Sequence, residues 1–161
     1  MMPHRLLHPR GFTLIELVLV LMLMSLLLLA AAPSLTGWNR ARRLDAASDG
    51  LLSAARWARA EAIVTAVPHR LEVDTGAGSY RVTRRDTDVF GPVTGEFGRD
   101  TILPPGVTVE LSTPEGVSLT ALEFYPNGRG TPARIYLVSE AGGEVILRSG
   151  GAADPLRRVE P

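Results

Sequence analysis

The sequence contains no cysteine. That excludes a disulfide, a thiolate metal site and a cysteine nucleophile, and it leaves the redox compartment open. It contains no lysine either, so every one of its 17 basic residues is an arginine. A phosphate-binding loop of the P-loop type is thereby excluded, because that loop needs a lysine after its glycines. An excess of charge of either sign is also missing: 17 acidic residues balance the arginines, and the formal net charge is zero. The balance gives no global case for a nucleic acid or an acidic partner. Histidine is scarce. His4 and His8 have the i, i+4 spacing of a metal pair, but Pro3 and Pro9 flank them. His69 stands alone, and one histidine builds neither a zinc site nor, without a nucleophile motif, a triad. It precedes an alternating stretch and is expected to be a solvated strand-edge residue. Asp86 and Asp88 supply two carboxylates where a calcium site wants six or more oxygens, so they are expected in a solvated turn. Gly76-Ala77-Gly78 lacks the third glycine of a dinucleotide loop. No catalytic residue, metal site or cofactor emerges, and the chain is not read as an enzyme.

What is present is one long apolar run. From Phe12 to Ala32 there are 21 residues, and only Thr13, Glu16 and Ser25 among them are polar. As a helix at about 1.5 Å per residue, the run is roughly 30 Å long, the hydrocarbon thickness of a bilayer. This predicts a transmembrane helix. A secretory signal peptide is the competing reading, since Ala30-Ala31-Ala32 offers a cleavage site of small residues. The run is longer than a signal-peptide core, however, and Pro33 follows directly. Arg5 and Arg10 precede the run with no acidic residue before Glu16, so the N-terminus is expected in the cytoplasm and the rest of the chain across the membrane. The odd feature is Glu16, because a carboxylate inside an apolar span is costly and marks function.

The stretch Gly11-Phe12-Thr13-Leu14-Ile15-Glu16, after a short basic leader and before the apolar run, resembles the class III signal of type IV pilins and of the pseudopilins of type II secretion. The resemblance implies that residues 1–11 are a leader and that a prepilin peptidase cuts between Gly11 and Phe12. It also implies that the new Phe12 amine is methylated and that Glu16 serves subunit assembly. The spacing supports the last point: Glu16 lies about one helical turn from Phe12, where the helix dipole favours a carboxylate. The amine of an incoming subunit would pair with Glu16 of its neighbour, and two charges costly alone in lipid become tolerable together.

Downstream, Pro33 and Gly37 read either as a bend in a long helix or as the end of one helix and the start of another. Residues 34–66 are expected to be helical, with Leu44, Ala47, Leu51, Ala54, Ala55, Ala58 and Ala62 forming one apolar stripe. Trp38 is expected to anchor at the membrane interface and Trp57 to pack. Arg40, Arg42 and Arg43 are expected on a solvated face. Pro68 ends the helix. The period then changes to two. Leu71 and Val73, then Tyr80 and Val82, predict a hairpin around Thr75-Gly76-Ala77-Gly78. Residues 86–106 read mostly as loop, with room for one short strand. Strands are expected near Val107–Leu111, 117–125, Ile135–Leu137 and Val145–Leu147, with a frayed tail from Gly150. The pattern gives six to eight antiparallel strands after one helix.

Two further blocks refine the resemblance. Ala54-Ala55-Arg56-Trp57-Ala58-Arg59-Ala60-Glu61-Ala62-Ile63 and Leu122-Glu123-Phe124-Tyr125-Pro126-Asn127-Gly128-Arg129-Gly130 are similar to the helix end and the strand-turn of the GspH minor pseudopilins and their FimT and FimU relatives. The family implies an α+β fold, a long N-terminal transmembrane helix packed on an antiparallel two-sheet β-sandwich. Residues 12–33 would be the transmembrane and assembly half, and residues 34–161 a soluble periplasmic domain, β-rich over 69–149. The implied function is that of a minor pseudopilin at or near the tip of a type II secretion pseudopilus, held in the bacterial inner membrane and assisting export of folded proteins. Its partners would be the other minor tip subunits, the major pseudopilin, the prepilin peptidase and the secreted proteins. The alternative is a minor type IV pilin that assembles pili or takes up DNA. Arg84-Arg85 and Arg157-Arg158 are the basic candidates for that role, but Asp86, Asp88, Asp154 and Glu160 sit beside them, so a nucleic-acid partner is not expected.

Overall fold

The computed structural model describes residues 12–140 and 142–159, with the side chains of residues 29–40 outside that description. Helix α1 spans Leu14–Thr65. Pro33 and Gly37 fall inside it, so one helix runs through the segment where a break was one of the two expected outcomes. The chain divides into two compact units, Met1–Trp38 and Asn39–Pro161.

In the second unit the apolar stripe of α1 is buried as its spacing predicts. Leu44, Ala47, Leu51, Ala54, Ala55, Ala58 and Ala62 all lie in the core, joined by Leu52 and by Ser48, whose hydroxyl donates to the Asp45 carbonyl. The other side of that core comes from two antiparallel sheets. The first contains β1 (His69–Asp74), β2 (Ser79–Asp86), β3 (Val89–Pro92) and β6 (Ala121–Phe124) in the order β3-β2-β1-β6, with the short β4 (Thr101–Ile102) also paired to β2. The second runs β5 (Val107–Ser112), β7 (Arg134–Ser139), β8 (Glu144–Arg148) and β9 (Arg157–Val159) in that order. Between β4 and β7 the chain visits the second sheet, returns to the first and leaves again, so neither sheet completes without the other. Leu71, Val73, Val82 and Leu122 from one sheet and Val109, Ile135, Leu137 and Leu147 from the other join α1 in a single apolar cluster.

Three expectations need correction. His69 is not a solvated edge residue. Strand β1 lies between β2 and β6, and the alternation that buries Leu71 and Val73 also turns His69 inward, where it is 1% exposed. Its Nδ1 donates to the Val67 carbonyl at 2.9 Å, and its ring meets Trp57 edge-on with centroids 6.1 Å apart. Residues 86–106 carry more structure than a loop with one short strand. Asp86 pairs with Val89 across a two-residue turn in which Thr87 takes φ 59°, so β3 follows without the glycine that usually announces such a turn. A 3-10 turn over Glu96–Gly98 and strand β4 complete the segment. The tail is not frayed, because β9 pairs with β8 and Arg158 Nη2 meets Asp45 Oδ1 at 2.8 Å. Among the described residues the strands therefore number nine.

The 3-10 turn owes its path to Gly98. A Cβ there would lie 1.7 Å from the Val93 carbonyl oxygen, and backbone, unlike a long side chain, does not swing aside. Gly98→Ala should cost at least about 1–3 kcal/mol, the range for overpacking. Denaturant unfolding followed by circular dichroism measures the loss. Gly91→Ala, where an added methyl meets nothing within 4 Å, is the control expected to change little.

Candidate functional site

The first unit presents apolar surface without cover. Phe12 is 83% exposed, and every described large apolar side chain from Leu14 to Leu28 is exposed as well. Among the described residues no helix is long and apolar enough to cross a membrane. The described side chains of the expected span end at Leu28, while Ala30-Ala31-Ala32 and Trp38 lie outside the described side chains and Gly11 outside the described residues. So much exposed apolar surface is unstable in water and calls for lipid or for other subunits.

Helix α1 begins with a local device. Thr13 precedes the first helical residue, and its Oγ1 accepts the Glu16 backbone N–H at 3.3 Å. The Thr13 carbonyl accepts from both Glu16 and Leu17, at 3.1 and 3.2 Å. Thr followed three residues later by Glu is the spacing of a capping box. Here the cap is made by the threonine side, and among the described residues the Glu16 carboxylate has no hydrogen bond or ion pair. Its acid therefore sits in the first turn, at the positive end of the helix dipole, free to take a partner from outside. The first turn thus joins three features in order: an exposed Phe12, a threonine cap and an uncommitted carboxylate. The capping spacing was readable in the sequence, although the motif drew attention to Glu16 alone.

The two refining blocks lie in the second unit. In the first, the buried alanines let α1 approach both sheets, and Trp57 covers the open side by packing on His69 and on Phe97, the latter 5.2 Å away between centroids. Arg59 Nη2 donates to the Ala153 carbonyl at 2.6 Å, which ties the helix to the segment before β9. In the second block, Gly128 takes φ 75° in a tight turn closed by Gly128 N–H to the Tyr125 carbonyl and Tyr125 N–H to the Arg129 carbonyl. Gly130 lies against Phe124, where a Cβ would be 3.0 Å from the ring.

The outer face of the first sheet carries a paired charge network. Arg70 Nη2 donates to Glu123 Oε1 at 2.6 Å, Arg81 Nε donates to Glu72 Oε2 at 3.0 Å, and Arg81 Nη1 lies 3.6 Å from Asp100 Oδ1. Arg70 Nε is buried and has no hydrogen-bond partner among the described residues, but its guanidinium stacks 3.7 Å from the Phe90 ring centroid. Burial pushes the Glu123 carboxyl up. The hydrogen bonds from Arg70 and Tyr125, with the charges of Arg70 and Arg85, outweigh it and hold the carboxyl below its ordinary range. Of the basic candidates, Arg85 also faces Phe90, at 5.5 Å, and Arg158 is engaged with Asp45. Among the described residues no group of three or more His, Asp or Glu side chains is placed to hold a metal ion.

Comparison with known proteins decides the family. The family model described as type II transport protein GspH matches residues 47–151, and the prokaryotic N-terminal methylation motif matches residues 8–32. The chain belongs to the GspH family. Its class is that of the pilin-like minor pseudopilins of type II secretion. Among solved structures, the minor pseudopilin EpsH from the type 2 secretion system of Vibrio cholerae is similar at TM-score 0.64 and 11% identity, over 74% of this chain and 96% of that one. The type IV minor pilin FimU of Pseudomonas aeruginosa is similar at TM-score 0.57 and 16% identity, over 77% of this chain and 92% of that one. At such identities the likeness is one of fold, and it bears out the expected α+β architecture. No curated protein matches the GspH-family chain significantly.

Two outcomes follow from this geometry. Thr13→Ala removes a helix cap worth about 1 kcal/mol. Amide hydrogen exchange at Glu16, read by NMR in detergent micelles, should accelerate several-fold, with exchange in the second unit unchanged. The depressed Glu123 carboxyl gives the second unit stability that is fully present above the unfolded-state value, near 4.3 for glutamate, and is lost as pH falls through the lower folded-state value. Glu123→Gln should flatten that part of the acid-unfolding curve, measured by circular dichroism between neutral pH and the acid limb.

Proposed function

We propose that this GspH-family chain works as a membrane-held minor subunit at or near the tip of a type II secretion pseudopilus, and that it assists export of folded proteins across the outer membrane. A prepilin peptidase cuts between Gly11 and Phe12, the Phe12 amine is methylated, and residues 12–33 form the transmembrane and assembly half. The N-terminus lies in the cytoplasm, and residues 34–161 form the periplasmic domain. The observation that carries the reading is the first turn of α1: a threonine-capped start, an exposed phenylalanine before it and a carboxylate with no partner among the described residues, at the head of a bare apolar helix. Inside a membrane an unpaired carboxylate is expensive. The Phe12 amine of an adjacent subunit neutralises it and fixes the register between neighbouring helices. The companion pseudopilins, minor and major, are the partners that supply such an amine. The likeness to a minor type IV pilin favours a second reading at the level of fold, pilus assembly in place of secretion.

The test is Glu16→Ala in the full chain. The variant should still be inserted and cut, and its intact mass should begin at Phe12 with one added methyl. Crosslinking to companion pseudopilins in membranes should fall at least about a hundredfold, since removing one member of a buried pair costs about 3–5 kcal/mol. Equal crosslinking in both chains would show that packing of the apolar run alone drives assembly.

A further inference from the structure

The register of the second sheet places three arginines side by side. Arg134 on β7 is directly opposite Arg148 on β8, and Arg148 is directly opposite Arg157 on β9. Residues directly opposite in an antiparallel pair share a face with Cβ atoms about 5 Å apart, and like charges so placed destabilise the sheet. The face is the outer one, because Ile135, Leu147 and Leu156, next in sequence to Arg134, Arg148 and Arg157, are buried. Among the described residues, none of the three arginine side chains forms an ion pair or a hydrogen bond. Asp154 lines the same depression as Arg148 and Arg157 without pairing with either. The contrast with the first sheet is direct: there, register sets Glu72 opposite Arg81 and Arg70 opposite Glu123, and both pairs are closed.

The neighbouring row of the same face is apolar where a solvated sheet face is polar. Tyr136, Ile146 and Val159 lie in register across β7, β8 and β9. Val138, 40% exposed, extends the patch along β7, and Val159 is 39% exposed. The face is thus an aliphatic centre with a cationic border along one side. Two glutamates flank the patch on either side of β7, Glu110 on β5 opposite Tyr136 and Glu144 on β8 opposite Val138.

We propose that this outer face docks another protein subunit, one whose own surface carries an apolar strip bordered by carboxylates. The apolar centre selects a protein over a nucleic acid, because Tyr136 is the one ring in it and Val138, Ile146 and Val159 around it give successive bases no platform to stack on. The arginine row selects an acidic border, whose carboxylates relieve the repulsion among three in-register guanidinium groups. The inference rests on the assembly reading above, with a companion pseudopilin as the partner, and it concerns a face of the second unit distinct from the apolar helix.

The experiment uses the full chain in membranes, co-expressed with its companion pseudopilins. A photo-crosslinking p-benzoylphenylalanine replaces Tyr136 in one chain and Leu19 in another. The Tyr136 probe should give a discrete adduct with one companion, and mass spectrometry should place it in a peptide with acidic residues. Arg134→Glu with Arg148→Glu should lower its yield about tenfold, Arg148→Gln should lower it less in the same direction, and changing the partner's acidic residue to arginine should restore the double variant. An adduct insensitive to these charges, or one with lipid, nucleic acid or a second copy of this chain, overturns the proposal. So does an absent Tyr136 adduct. If the Leu19 probe still crosslinks in that case, assembly through the apolar helix stands and only this face is refuted; if neither probe crosslinks, both readings fall.

Discussion

The distance between α1 and the two sheets is set by alanine. Ala54, Ala55, Ala58 and Ala62 are all buried, and none of them reaches far from the helix backbone. The core volume is supplied by Leu71, Leu122, Ile135, Leu137 and Leu147 from the sheets and by Leu44, Leu51 and Leu52 from the preceding turns of α1. A larger side chain on that helix face would lift α1 away from both sheets at once, because interiors are close-packed and have no slack to absorb it. The same closeness explains Gly50, where a Cβ would come within 2.5 Å of the Tyr80 hydroxyl. It also explains why the helix is tied at its margins by polar contacts, Arg59 to the Ala153 carbonyl and Asp45 to Arg158.

With the inner faces committed to one core, the outer faces are left to differ, and cross-strand register decides how. On the first sheet, register pairs acid with base and sets Arg70 over the Phe90 ring, which yields a self-satisfied surface. On the second sheet the same rule sets arginine opposite arginine beside an aliphatic row. Both faces obey one physical law for opposed side chains. One is closed on itself and the other is left open to a partner.

Much of this was legible in the sequence, and the reason is periodicity. The spacing of Leu44, Ala47, Leu51, Ala54, Ala55, Ala58 and Ala62 marked the buried helix face, and the alternation of Leu71, Val73, Tyr80 and Val82 marked the first hairpin. Both signals are local. What failed required knowledge of pairing. Whether His69 sits at an edge or in the middle depends on β6, which lies some fifty residues away in the chain. Strand β9 is three residues long, and Arg157-Arg158-Val159 shows no alternation of its own. The turn that starts β3 uses Thr87 in the left-handed region, so glycine did not announce it. The arginine row is invisible for the same reason: Arg134, Arg148 and Arg157 become neighbours only when the register of two strand pairs is known.

The first turn of α1 is the opposite case, because all of its parts lie within five residues, Phe12 to Glu16. A carboxylate in the first helical turn commonly folds back on its own helix and completes a capping box. Here the Thr13 hydroxyl already holds the Glu16 amide, and the carboxylate remains unpaired among the described residues. An acid that its own helix leaves unneutralised, at the head of an apolar stretch, adds a cost to the isolated subunit. That cost falls once a positive charge arrives from a neighbour. In the proposed assembly, pairing of Glu16 with such a charge would act together with apolar packing to favour association. The motif resemblance points to Glu16 by analogy; the cap explains why its carboxylate is available.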